Sequence, residues 1–427
     1  MVKVNPQVRR VMHSPTLRIH EHVGKLRGQG RDVVHFGFGE SPFPVPPSVV
    51  AELRKHAGDS RYLPSQGLMA LRERAASYLK RRFGHDADSA RVVVGPGSKE
   101  LIFDALFALR GDLILPAPSW VSYGPQGQML GKRVIWTRPD PEGGYRMTAG
   151  AFGEACRRSR TTQKVLILNS PCNPTGAVYS AGELKRIARV ARRYNVVIVS
   201  DEIYAEITFG RARYRSIAAF CPERTLVTNG LSKGFCAGGH RLGILLVPKR
   251  MQALTDHLVC IASETFSCVA APIQQAAVPA LSDRKDVRAH VRDTVAIHRM
   301  AGHFLWRECE RIGLRCPRPE GAFYLFPDFS HFAKALRRRG IRTDEALCED
   351  LLGRAYVALL PGSGFGVPAA HLAARLATVD YDGAAVLKAF RRRRPGTARE
   401  THRFVQRHCP NLPEGIRRLE RYLSDLA

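Results

Sequence analysis

Runs of apolar, often β-branched residues alternate along the middle of the chain with stretches whose apolar positions recur every three or four residues. ARVVVG (90–95), DLILP (112–116), RVIWTR (133–138), KVLILN (164–169), NVVIVSDE (195–202), RTLVTNG (224–230) and LGILLVP (242–248) predict strands. SKELIFDALFALR and AGELKRIARVARRYN (181–195), lying between them, have the spacing of amphipathic helices. Near-continuous apolar strands separated by helices predict an α/β architecture, with a parallel or mixed sheet covered on both faces. This large domain is expected over residues 45–295, entered through the extended, Pro-rich linker ESPFPVPP (40–47). After a long helical stretch (283–312) the pattern turns α+β, with GAFYLFPDF, VALLPGSGFG and ARLATVDYD as short strands. A smaller domain is expected from residues 296–427 together with the N-terminal arm, 1–44. The segment LKAFRRRRPGTARETHRFVQRHCP (387–410) reads as a basic insertion before a final helix. Pro395 and Gly396 interrupt any helix there, and the four adjacent arginines at 391–394 are expected in solvent.

A chain of 427 residues is long enough for two domains, each with its own core. The most apolar long stretch, 258–281, is broken by Ser263, Glu264, Gln274 and Gln275, so no membrane span is expected. The N-terminal MVKVNPQVRRVMHSP has basic residues with no apolar run after them, so no secretory signal is expected. Ten cysteines are scattered without CxxC pairs or histidine partners, which argues against a disulfide framework or a metal site. A cytoplasmic enzyme is the expectation. The net charge of +28 is unusual, and two readings compete for it. One is a basic face for nucleic acid or an anionic membrane. The other is general arginine enrichment over a solvated surface, as the ordinary helical spacing of LRERAASYLKRRFG suggests. No nucleic-acid-binding motif accompanies the charge, so the second is preferred and no nucleic-acid partner is expected.

Four motifs fall at the carboxyl ends of the expected strands, where open α/β sheets bind their ligands. GPGSKE (95–100) puts small residues and a hydroxyl at a helix N-terminus, which suits a phosphate, although Ser-capped Gly turns also occur in proteins that bind nothing. NSPCNPTG (169–176) reads as a tight turn, or as a loop that aims the Asn173 amide at an anionic oxygen. SDEIY (200–204) ends an apolar strand in a carboxylate; Asp201 is either a helix cap or the partner of a buried cation, with Tyr204 beside it. LSKGFCAGGHRLG (231–243) is the most specific. A lysine at the end of a buried strand is unfavourable unless its amine is neutralised or bonded, and Arg241, eight residues on, offers a fixed fork of donors for a phosphate.

A phosphate turn, then Asn, then Asp with Tyr, then Lys with Arg is the order of the class I and II aminotransferases, the aspartate aminotransferase-like family of fold type I. The chain resembles that family from about Gly37 to Thr378. The resemblance implies a cofactor, pyridoxal 5′-phosphate, held by Lys233 as a Schiff base, with Asp201 on its ring nitrogen and Tyr204 beside its phenolic oxygen. Gly97, Ser98, Lys99, Ser232 and Arg241 fall at its phosphate side, Asn173 at its ring, and Trp120 of PAPSW on its ring face. Tyr62 of RYLPSQG is similar to the tyrosine that reaches the phosphate of the neighbouring subunit, which implies a homodimer. Gly39 of FGFGESPF, Asn173 and Arg375 of AARLAT match the groups that take the substrate carboxylate. An L-amino acid donor and a 2-oxo acid acceptor follow, with Lys233, Asp201 and Tyr204 as the catalytic set. The same parts serve lyases and synthases of the aminocyclopropane-carboxylate type, and a non-catalytic cofactor-sensing regulator stands further off. Side-chain specificity is not legible, His240 stands where many relatives have an aromatic, and nothing carries over to 387–410.

Overall fold

The computed structural model describes residues 2–9, 15–210 and 214–426, with side chains left aside at 15–18. Among the described residues the strands are β1 (Val34–His35), β2 (Val92–Gly95), β3 (Asp112–Leu115), β4 (Val134–Trp136), β5 (Lys164–Asn169), β6 (Val196–Asp201), β7 (Thr225–Gly230), β8 (Gly243–Leu246), β9 (Tyr324–Leu325), β10 (Val357–Ala358), β11 (Leu360–Pro361) and β12 (Ala374–Ala377). Strands β2 to β8 form one seven-stranded sheet in the order β2-β8-β7-β6-β5-β3-β4. All its pairings are parallel except those of β8, which runs against both β2 and β7.

Every residue of β3, β5, β6 and β7 is buried, which is why these strands read as unbroken apolar runs and not as alternating ones. Helices Pro47–Lys55, Met69–Phe83 and Ala271–Leu281 cover one face, packing Leu71, Leu79, Ala276 and Leu281 against Val92, Val94 and Ile244. Helix Ala181–Arg193 packs Leu184, Ile187 and Ala188 against Leu166, Leu168 and Ile198; it opens on a capping box between Ser180 and Glu183. The direction in which successive strands are added reverses between β3 and β5, since β4 lies on one side of β3 and β5, β6 and β7 follow on the other. The carboxyl ends of β5, β6 and β7 therefore open onto the crevice where such sheets bind ligands.

The smaller sheet is antiparallel in the order β11-β12-β9, and β1 pairs separately with β10. Helix Lys285–Arg311 passes unbroken through residue 295, where the sequence suggests a division, because its apolar positions continue at helical spacing from Val287 to Cys309.

Segment 387–410 is not a solvated insertion. It lies within helices Gly383–Arg392 and Ala398–His408, separated around Pro395 and Gly396. Leu387, Phe390, Val405 and Cys409 enter the same core as Ile297, Phe304 and Leu419. Two of the four arginines also have a buried partner. Arg391 Nε and Arg394 Nη2 reach the Asp293 carboxylate at 3.0 and 2.7 Å, and Asp293 is 4% exposed. All four arginines are nonetheless exposed, as the run of charges predicts.

Candidate active site

A cavity of about 650 Å³ opens at the carboxyl edge of the large sheet. It is lined by Lys233 and Ser232 from the connection after β7, Asp201 and Tyr204 from the end of β6, Asn173 from the loop after β5, and Ser98 and Lys99 from the first turn of helix Ser98–Ala108. Trp120, Gly39, Arg241 and Arg375 also line it, so the structure brings together residues 336 positions apart in sequence. Gly97 lies against it: its φ is +93°, and a Cβ there would collide with the Arg241 guanidinium, so only glycine fits. Tyr62 is not in the lining and is 89% exposed.

Lys233 is half-buried, and its Nζ donates to the Gly39 carbonyl at 2.8 Å while lying 5.7 Å from the centre of the Phe323 ring. Burial pulls the amine down to about 8; the Glu40 charge opposes this, and Arg375 and Arg241 add to it. An appreciable share of the amine is therefore neutral, and so nucleophilic, near neutral pH.

Asp201 is 3% exposed and forms no ion pair with a Lys or Arg among the described residues. Burial raises its pKa, and donors from Tyr123, the Ile203 backbone and Thr228 pull it back. A buried anion without a cation is costly, so the site is built to receive one. Tyr204 is buried with its hydroxyl 2.7 Å from that of Tyr324, and burial and the Tyr324 hydroxyl push its pKa well up. It acts as a neutral hydroxyl.

Cations gather at the other side. Arg241, in the left-handed backbone region at φ 48°, donates to the carbonyls of Gly238 and Pro96 at 3.0 and 3.2 Å and lies 3.4 Å from the Ser232 hydroxyl. The Lys99 amine sits 5.1 Å from the Trp120 ring centre, and burial and then Arg241 lower its pKa. With the backbone N–H groups opening helix Ser98–Ala108, these groups form an anion cradle. Arg375 is 2% exposed. Its Nη2 donates to the Gly37 carbonyl at 2.6 Å, its guanidinium carbon lies 4.8 Å from the Tyr324 ring centre, and its Nε is buried without a partner.

An aldehyde-bearing, phosphorylated pyridine fits these groups: a depressed amine for the aldehyde, an uncompensated carboxylate for the ring nitrogen, and a cationic helix start for the phosphate.

The motifs do not single out several residues that the site uses. Tyr123 donates to Asp201 Oδ2 at 2.5 Å. Asn169 donates to the Asp201 carbonyl at 2.8 Å and accepts from the Asn173 N–H at 2.8 Å, so it fixes two site residues at once. Tyr324 joins Tyr204 to the Gly39 carbonyl, 3.3 Å from its hydroxyl. Asn169 ends a strand inside NSPCNPTG and was within reach of sequence reasoning; Tyr123 and Tyr324 had only their proximity to PAPSW and to the GAFYLF strand.

The family model described as aminotransferase class I and II matches residues 31–380. The aspartate aminotransferase of Geobacillus stearothermophilus is 35% identical over 376 residues, covering 86% of this chain and 93% of the relative. The asparagine–oxo-acid transaminase of Streptococcus mutans is 31% identical over 384 residues, covering 86% and 93%. Among solved structures, the aspartate aminotransferase of Thermus thermophilus with maleate superposes with a TM-score of 0.84 at 28% identity, covering 99% of this chain and 100% of that one. Fold, cavity and kinship agree: the chain belongs to the class I and II aminotransferases, pyridoxal-phosphate enzymes that pass an amino group from an amino acid to a 2-oxo acid.

Proposed function

We propose that this chain works as a homodimeric aminotransferase with an acidic amino acid, aspartate first, as donor, and that Lys233, Asp201 and Tyr204 carry the chemistry. What carries the reading is the presence, in one cavity, of an amine with a pKa of about 8 and a buried carboxylate with no cation. In this reading Lys233 holds the aldehyde of pyridoxal phosphate and Asp201 the ring nitrogen. Arg241, Ser98, Lys99, Ser232 and the backbone at Gly97 hold the phosphate. Trp120 covers the ring face, and Asn173 and Tyr204 serve the phenolic oxygen.

When bound, the cofactor supplies an electron sink for the charge left on the substrate Cα as its proton departs. Lys233 Nζ, close to half neutral near its pKa, takes that proton and can return it elsewhere on the substrate–cofactor pair. Arg375, with its Nε unpartnered and Nη1 on Asn173, binds the α-carboxylate and so fixes which Cα bond faces the lysine. Gly39 offers backbone at the same carboxylate; a Cβ there would collide with the Tyr324 hydroxyl. Tyr204 keeps its proton and donates, since burial and the Tyr324 hydroxyl hold its pKa high.

Aspartate is proposed on the names of the relatives, which include aspartate aminotransferases. Tyr62, at 89% exposure, is free to cross to a second copy, which supports the dimer. Ten free thiols suit a reducing compartment, so we place the enzyme in the cytoplasm. No helix among the described residues is long and apolar enough to cross a membrane.

The test is a donor screen by half-reaction. Each amino acid is mixed with holoenzyme without any acceptor, and the absorbance of the bound cofactor is followed. Aspartate and glutamate should convert it fastest. Conversion by neutral amino acids alone would reject the acidic assignment, and product formation with no amino transfer to the cofactor would reject transamination.

A further inference from the structure

We infer that Tyr123 is a positioning residue for the reaction, its hydroxyl holding Asp201 as the anion that keeps the cofactor's ring nitrogen protonated. The inference rests on the reading of Asp201 given above.

Tyr123 is 1% exposed and opens helix Tyr123–Met129, packing edge-on against Trp120 with ring centres 5.3 Å apart. Its hydroxyl donates to Asp201 Oδ2 at 2.5 Å. That distance lies in the range of about 2.5–2.7 Å for a hydroxyl bonded to an ionised carboxylate, which is shorter and stronger than a neutral pair. The two carboxylate oxygens have different partners. Oδ1 takes the Ile203 N–H at 3.2 Å and the Thr228 hydroxyl at 3.4 Å, whereas Tyr123 is the protein donor to Oδ2.

Asp201 sits in a buried place that favours its neutral form. A neutral Asp201 could only donate to the ring nitrogen and would leave that nitrogen without a proton of its own. A donor that bonds the anion shifts the proton the other way, onto the nitrogen, and with it the ring's capacity to accept electrons. Tyr123 stays protonated and able to donate, because burial and the Asp201 charge push its own pKa well above the usual phenol value. One phenol thus touches both the carboxylate that would hold the ring nitrogen and the indole that would cover the ring face.

The test uses holoenzyme loaded with pyridoxal phosphate labelled with 15N in the ring, whose NMR shift reports whether the nitrogen has a proton. Wild type should show the protonated shift, and Asp201→Ala the unprotonated one. Tyr123→Phe, which removes only the hydroxyl, should move the resonance towards the unprotonated value and lower kcat about ten- to a hundredfold, with a smaller change in KM. Thermal melting of the apoenzyme checks that the variant folds. Should it not fold, 3-fluorotyrosine at position 123 keeps the shape and strengthens the donor, and should move the resonance towards fuller protonation. An unmoved resonance in a folded Tyr123→Phe protein, or with fluorotyrosine, would overturn the inference and leave Asp201's role standing. An unprotonated ring in wild type would instead remove the reading of Asp201, and this inference with it.

Discussion

Arg375 on β12 donates through Nη1 to the side-chain oxygen of Asn173, 3.3 Å away, joining the smaller sheet to the loop that leaves β5. With Nη2 committed to Gly37 and Nε unpartnered, this guanidinium has a fixed plane and a free edge. Arg375→Lys retains a cation but cannot present two parallel N–H groups. The KM for the amino donor should rise about tenfold or more, while cofactor retention on gel filtration stays as in wild type. Amines without a carboxylate provide the control; if they weaken equally, Arg375 does not read the carboxylate.

Lys233 should make the cofactor-free protein less stable than it could be. Its amine titrates near 8 in the fold and at 10.5 as the ordinary value. Between these values the unfolded chain binds more protons than the folded one, so stability rises with pH across that window. The penalty is full below pH 8 and gone above about 10.5. Apo Lys233→Met should therefore be about 2 kcal/mol more stable than apo wild type at pH 7, a figure reduced for the part of the side chain that water reaches. The gap should close as pH rises from 8 to 10.5, and urea unfolding at several pH values would follow it. A gap that does not change with pH would show that the amine is not desolvated.

A Tyr62→Phe chain mixed with a Lys233→Ala chain tests the shared site. If Tyr62 serves the partner's cavity, each mixed dimer has one site with both changes and one with neither. Activity on mixing should then rise above the mean of the parents. A fully active monomer in sedimentation would remove the role of Tyr62 altogether.

Arg391 and Arg394 should matter for stability and not for turnover. Changing both to Gln leaves the 4%-exposed Asp293 with only the 3.8 Å contact from Arg292 among its ion pairs. Losing the partners of a buried carboxylate is costly, but these guanidiniums are half in water, so about 1–2 kcal/mol is expected. The melting temperature should fall by several degrees with kcat unchanged at 25 °C. An unchanged melting temperature would mean the two ion pairs contribute nothing net.

The sequence made legible what is local. Asp201, Lys233 and Arg241 lie within short motifs, and the strands that position them are unbroken apolar runs. What it hid depends on partners far apart in the chain. Tyr123 lies 78 positions from Asp201, and nothing in PSWVSYGP marks its hydroxyl as bonded. The direction of β8 was also hidden, since GILL is equally apolar read either way. The segment around the four arginines misled because the charges drew attention from Leu387, Phe390 and Val405, whose spacing places them on buried helix faces.

The reversal of β8 has a consequence for how such an enzyme can change. Gly230 and Gly243 are register partners, so the segment 231–242 between them is a closed hairpin connection. That one piece of chain holds both Lys233 and Arg241. It can be inherited, or exchanged between relatives, as a single cassette, because its two ends meet as register partners in adjacent strands. A one-residue insertion within it would alter the spacing of Lys233 and Arg241 and so separate two functions that a substitution could only weaken one at a time.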